Sequence, residues 1–173
     1  MTNLISLILA ALMPLCSTMA PIEPIEPLPQ GITYIETEPL YGDEEIIALA
    51  KLIWGEARGI SSDTEKAAIV WTVLNRYDAG YGDSIMDVLT APNQFYYRRN
   101  FPATEDYKAL AADVLSRWAR EKAGEPDVGR VLPPEYMWYR GDGKHNYFRD
   151  AYKGGNVWDW TLESPYESER RTL

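Results

Sequence analysis

Between Asp43 and Trp118 the apolar residues return every three or four positions, and polar residues of helix-capping type divide them into segments. Asp43 is placed to cap a helix over residues 44–57. In it Ile46, Ala50 and Ile53 share one face, Ile47, Leu49 and Trp54 widen that face, and Gly59 provides a stop. Ser62 to Glu65 reads "SDTE", the spacing of a capping box, in which the Ser62 hydroxyl and the Glu65 carboxylate each satisfy a backbone N–H of the helix start. The helix it opens runs to about Tyr77 and ends at Gly80. Its stretch "AAIVWTVL" is apolar nearly all round, which predicts a central buried helix. Asp83 caps a short helix over residues 84–89, and "APNQFYYRRNFP" reads as a loop. Thr104 then caps the clearest amphipathic helix, with Tyr107, Leu110, Ala111, Val114, Leu115 and Trp118 at the spacing of one face. After Gly124 the period changes. "EYMWYRGDGKHNYFRD" alternates and predicts a β-hairpin turning at Asp142-Gly143, followed beyond Tyr152 by an irregular tail. The expected class is mainly α with a small β-hairpin, an α+β single domain.

The first 40 residues do not follow this pattern. Residues 1–20 hold an apolar stretch from Leu4 to Leu15, a length suited to a signal-peptide core rather than a membrane span. No Lys or Arg precedes it, and Pro21 directly follows the best small-residue site, Ala20. The segment reads as an export or anchoring leader, with a stray N-terminal helix as the other reading. Residues 21–40 include "PIEPIEPLPQ", where proline at every second or third position forbids helix and sheet and makes a stiff spacer. The folded domain is expected over residues 41–173. An exported or envelope-associated protein follows from the leader, which is also the one expected route to a membrane.

Composition narrows the function classes. A chain of 173 residues with 46% hydrophobic content suits one globular domain with a real core. The net charge of -9 argues against non-specific nucleic-acid binding, which needs Lys and Arg to neutralise phosphates. One Cys and one His exclude a Cys/His zinc cluster and a two-His zinc protease motif. Neither a metal nor a cofactor is expected. Six Trp and twelve Tyr suit sugar binding, although core packing accounts for most aromatics.

The chemistry concentrates on Glu56. On helical geometry it shares a face with Leu49, Leu52 and Ile53, so it leaves from the edge of the apolar face. A carboxyl group partly shielded from water holds its proton to higher pH, the state a general acid for glycosidic cleavage requires. Gly55 and Gly59 would let a ligand approach the backbone. The competing reading is a helix-end glutamate paired with Arg58 or Lys51, and spacing alone favours it.

Four segments together shift that balance. Gly55-Glu56-Ala57-Arg58-Gly59, Val73-Leu74-Asn75-Arg76, Gln94-Phe95 and His145-Asn146-Tyr147-Phe148 occur in this order between about Ile46 and Tyr152. In this the chain resembles the cell wall hydrolases of the SleB/CwlJ type, which include spore cortex-lytic enzymes. That family shows Tyr-Gly-Glu-Ala-Arg-Gly, Val-Leu-Asn-Arg, Gly-Gln-Phe and a late Asn-His-x-Phe-Tyr segment. Here Trp54 stands for the Tyr, Asn93 for the Gly before Gln94, and the late segment reads "KHNYFR". The resemblance implies a lysozyme-like domain and Glu56 as the essential acid. The implied partner is peptidoglycan, cleaved between N-acetylmuramic acid and N-acetylglucosamine, commonly as a lytic transglycosylase. A muramidase using water at the same site and a catalytically silent wall-binding module are the alternatives. The resemblance further implies sugar contacts from Gln94, Phe95, His145, Asn146, Tyr147 and Phe148. For His145, hydrogen bonding to the ligand and a structural role weigh evenly, and Gln94 either binds sugar or closes its loop. Arg58, Asn75 and Arg76 are expected to support the fold, as helix-end residues.

Overall fold

The computed structural model describes residues 40–166, and the expected leader and most of the spacer lie outside the described residues. The described residues form four helices and one two-stranded antiparallel sheet: α1 (Asp43–Ala57), α2 (Asp63–Asp78), α3 (Ile85–Thr90), α4 (Glu105–Lys122), β1 (Trp138–Gly141) and β2 (Asn146–Arg149). The chain is therefore mainly helical with a small hairpin, as its periodicity indicates.

Helix α2 is the central element. Every residue from Thr64 to Arg76 is buried, which is what an all-round apolar helix requires. It is walled by α1, α3 and α4, and α1 packs against α4. The faces expected of the outer helices are buried in part: α1 buries Leu49, Ala50 and Ile53 together with Leu52, while Ile46 and Trp54 are half-buried and Ile47 is exposed, and α4 buries Ala111, Val114, Leu115 and Trp118 with Tyr107 and Leu110 half-buried.

The helix starts differ from expectation in three places. The cap of α1 is Gly42, one residue before Asp43, and the Glu45 carboxylate accepts the Gly42 N–H at 2.8 Å. The cap of α3 is Ser84 and not Asp83, its hydroxyl accepting the Asp87 N–H at 3.0 Å. At α2 half of the capping box forms. Ser62 accepts the Glu65 N–H at 3.2 Å, but the Glu65 carboxylate turns away to the hairpin, where it accepts the Asn146 N–H at 2.9 Å and meets His145 Nδ1 at 2.8 Å. A tertiary partner has outcompeted the local one.

The hairpin register pairs Trp138 with Arg149, Tyr139 with Phe148, Arg140 with Tyr147 and Gly141 with Asn146. The turn is thus four residues long, Asp142 to His145, wider than a tight turn at Asp142-Gly143. It is tied by Asp142, whose Oδ1 accepts the N–H groups of Lys144 and His145, both at 2.8 Å. Gly143 supplies the left-handed residue at φ 90°. Directly paired residues share a face. Tyr139 and Phe148 therefore point together toward the core, ring centroids 5.4 Å apart, and Trp138, Arg140, Tyr147 and Arg149 share the other face. The tail covers the outer edge of β2: Trp158 N–H donates to the Phe148 carbonyl at 2.9 Å, and Val157 bridges to Arg149.

Candidate functional site

Glu56 lies in the last turn of α1 and is half-buried, as its place on the apolar edge implies. Neither neighbouring cation pairs with it. Lys51 Nζ donates to the Arg99 carbonyl at 2.7 Å, and Arg58 donates to the helix-end carbonyls of Trp54 and Gly55 at 3.4 Å. The partner of Glu56 comes instead from the loop between α3 and α4, where the Tyr96 N–H donates to Glu56 Oε1.

Gly55 makes that contact possible. A Cβ on Gly55 would stand 2.0 Å from the Tyr96 carbonyl oxygen and 3.0 Å from the Phe101 ring. The glycine therefore admits the loop backbone rather than a ligand. Tyr96 packs edge-on against Phe101, centroids 5.2 Å apart, and the Arg98 guanidinium lies 5.4 Å from the Tyr96 ring, so the loop is held by its own side chains.

Glu56 opens onto a cleft of about 1050 Å³. All four residues of β1 line it, and β1 is paired on one side only, so its outer edge borders the cleft. Asn93 and Gln94 contribute from the loop, and Arg149 and Tyr152 from the far side of the hairpin. Among the described residues that line it, Glu56 is the only carboxylate.

Two side chains behind Glu56 complete its surroundings. The Tyr139 hydroxyl is fully buried and makes no hydrogen bond of ordinary geometry among the described residues. Burial first, then the charge and hydrogen-bonding reach of Glu56, push its phenol well above the usual value of 10, so it keeps its proton. Arg76, in the last turn of α2, is buried. Its Nε donates to the Met137 carbonyl at 2.7 Å, its NH1 to Gln94 Oε1 at 2.9 Å, and its guanidinium stacks 4.7 Å from the Phe95 ring. Desolvation by burial lowers its pKa, and the charge of Glu56 acts against that.

Of the residues named from the sequence, Glu56 and Gln94 line the cleft together, and Gln94 is oriented by Arg76. Phe95 packs beneath, against Arg76 and Tyr139. The "HNYF" segment is divided. His145 does not line this cleft and pairs with Glu65, and Asn146 is buried with its N–H on the same carboxylate. Tyr147 is exposed and donates to Asp142 Oδ2 at 2.9 Å. Phe148 is a core residue, 1% exposed, between Tyr139 and Trp160. Asn75 supports the fold as expected, donating to the carbonyls of Pro133 and Tyr136.

Tyr139, Trp138, Arg140, Arg149 and Tyr152 also line the cleft, beyond the residues expected from the sequence, and so does Arg76, expected only to support the fold. The signal for Trp138, Arg140 and Arg149 was the alternation of "MWYRG" opposite "NYFR", which puts two arginines and a tryptophan on one hairpin face. Among the described residues no group of three or more His, Cys, Asp or Glu could hold a metal ion, and no helix is long and apolar enough to cross a membrane. Comparison with protein-family models, curated proteins and solved structures returns no match.

Proposed function

We propose that the protein cleaves the glycan strand of peptidoglycan between N-acetylmuramic acid and N-acetylglucosamine, as a lytic transglycosylase on a lysozyme-like domain, with Glu56 as its single acid and base. The observation that carries this reading is a half-buried glutamate, held by a backbone N–H, as the lone carboxylate of a large cleft with aromatic walls. Ordinary glycosidases place two carboxyl groups across the scissile bond, one as acid and one as nucleophile or base. A single carboxyl group serves both steps if the substrate supplies its own nucleophile.

Glu56 donates its proton to the leaving glycosidic oxygen as the bond to C1 of the muramic residue breaks. As carboxylate, Glu56 takes the proton of the 6-hydroxyl of that residue, whose oxygen closes on C1 and leaves a 1,6-anhydro ring. The proton moves through Oε2, the oxygen that Tyr96 does not hold. Tyr139, kept protonated, offers a neutral donor behind the carboxylate. Trp138 and Tyr152 offer ring faces for the sugars, and Gln94 an amide set by Arg76.

The test is digestion of purified peptidoglycan and mass analysis of the fragments, for the parent chain and Glu56→Gln. Gln keeps the size and hydrogen-bonding ability but not the transferable proton. The expected loss is at least about 10²–10⁴-fold in release rate, with the thermal unfolding curve preserved. Anhydro ends support transglycosylation, and reducing ends would assign water as the nucleophile. Undiminished release from a folded Glu56→Gln chain would place the acid elsewhere. No release by the parent chain would leave the wall-binding module as the reading.

A further inference from the structure

The cleft carries a charge opposite to that of the protein. The chain as a whole is at -9, yet Arg76, Arg140 and Arg149 line the cleft against one carboxylate, Glu56. Among the described residues none of these three arginines has an Asp or Glu within ion-pair distance. Elsewhere carboxylates are taken up: Arg117 holds Asp113 at 2.7 Å, Arg120 holds Glu125 at 2.5 Å, and Arg130 holds Glu121 at 2.5 Å. Arg58, Arg98 and Arg99 outside the cleft also have no ion pair among the described residues, so what sets the cleft apart is that three such arginines meet there, in a protein with 26 acidic residues against 17 basic ones.

Arg76 sharpens the point. It is only 5% exposed, and the hydrogen bonds it makes go to neutral oxygens, the Met137 carbonyl and the Gln94 amide. Glu56 acts on Arg76 only through space, and a buried cation without a directly paired carboxylate is costly, a cost that an anion arriving from the cleft would offset. Arg149 donates to the Gly154 carbonyl at 3.3 Å, which holds it at the cleft wall, and Arg140 is exposed on the same hairpin face. Guanidinium groups match carboxylates with paired, charge-assisted hydrogen bonds.

We propose that this cleft selects strands bearing carboxylates, the acid groups carried on the lactyl arms of muramic acid directly or through its peptides, and discriminates against neutral N-acetylglucosamine polymers. The identity of the strand rests on the glycan-cleaving reading above, whereas the preference for carboxylate rests on the arginines. It also explains how a protein of net charge -9 engages an anionic wall: repulsion between the bodies is overcome by a local cationic site.

The test uses the full chain carrying Glu56→Gln, so that binding is read without cleavage, pelleted with insoluble peptidoglycan. One portion of the wall is native, and in another the carboxyl groups are capped as amides by carbodiimide coupling. Chitin is the neutral control. Capping should weaken binding about tenfold or more, the scale of a charge-assisted hydrogen bond or two. Adding Arg140→Gln and Arg149→Gln should weaken binding to native wall by a similar factor and abolish the difference between native and capped wall. Neither of these side chains is buried, and thermal unfolding of each variant checks the fold. Equal binding of the Glu56→Gln chain to native and capped wall, or no binding to either, overturns the proposal without recourse to the arginine variants. Tight binding to chitin overturns it as well. Cleavage by the parent chain, assayed separately, keeps the two readings apart. Carboxylate-dependent binding without any cleavage removes the enzyme reading and leaves this one. Cleavage that ignores capping and the arginines does the reverse.

Discussion

Gly55 and Tyr139 show how single residues hold the candidate acid. A methyl group on Gly55 would meet the Tyr96 carbonyl oxygen at 2.0 Å, so Gly55→Ala must push the loop away and with it the N–H that Glu56 accepts. The expected cost is about 1–3 kcal/mol, typical of overpacking, read from urea unfolding. The rate of wall cleavage should fall further than lost stability explains. An Ala variant with unchanged rate would show that the Tyr96 contact is dispensable. Tyr139→Phe has the opposite signature. The hydroxyl it deletes is buried without a regular partner, so stability should hold or rise slightly. Cleavage should slow, because the neutral donor beside the carboxylate is lost. A rate equal to the parent's would restrict Tyr139 to packing.

At the scale of the element, the hairpin turn is governed by two titrations of opposite sign. Asp142 is held at about 2 by the N–H groups of His145 and Lys144 and by the Tyr147 hydroxyl. A depressed carboxyl contributes stability that is present above its unfolded value near 3.8 and is lost as pH falls through about 2. His145 is raised above its ordinary 6.5 by its hydrogen bond to Glu65 and then by the charge of Glu65. A raised histidine contributes stability that is full below 6.5 and is lost as pH rises through the folded value. Hydrogen-exchange protection of the turn and β2 amides, corrected for intrinsic rates, should therefore be greatest between about pH 4 and 6.5. In His145→Gln the decline on the alkaline side should vanish and the acidic side should stay. Protection that is flat from pH 5 to 9 in the parent chain would show that the Glu65 pair does not hold the turn.

For the whole molecule, Glu65 of α2 ties the hairpin to the helices, and aromatic contacts join the sheet to the loop and the tail. Phe148 lies between Tyr139 and Trp160 with centroids 5.4 and 5.6 Å away, and Tyr139 reaches Phe95 at 6.4 Å. Phe148→Ala should cost about 3–5 kcal/mol, the range for a buried aromatic. If the hairpin were an appendage the loss would be under about 1 kcal/mol, the scale of surface substitutions. Among the described residues the core runs from Ala48 to Phe148, within a chain of residues 41–173. That chain should unfold in one cooperative transition close to the full-length melting temperature. A broad transition or an unfolded product would assign the first 40 residues a part in the fold.

What the sequence determined by itself is local. Apolar residues at helical spacing placed α1 and α2 to within a residue or two and marked the face of α4, because a helix must bury one stripe and each stripe is visible in one dimension. Ser62 and Thr104 were legible as caps, because the orphan N–H groups of a helix start are satisfied by the next few residues. The same logic placed Glu56 at the edge of the apolar face. Tertiary structure decided what local pattern leaves open. Alternation in β1 and β2 says that Tyr139 and Phe148 share a face with neither Trp138 nor Arg149, but not which face the helices cover. "HNYF" therefore looked like one binding segment, and its phenylalanine went to the core while its histidine went to Glu65. Glu65 itself satisfied the sequence requirements of a capping box and still took partners 80 and 81 residues away. The arginine-lined cleft is the furthest from view. Arg76 lies on α2 and Arg140 and Arg149 on the hairpin, and charges so far apart in the chain meet only when the helix and sheet pack together.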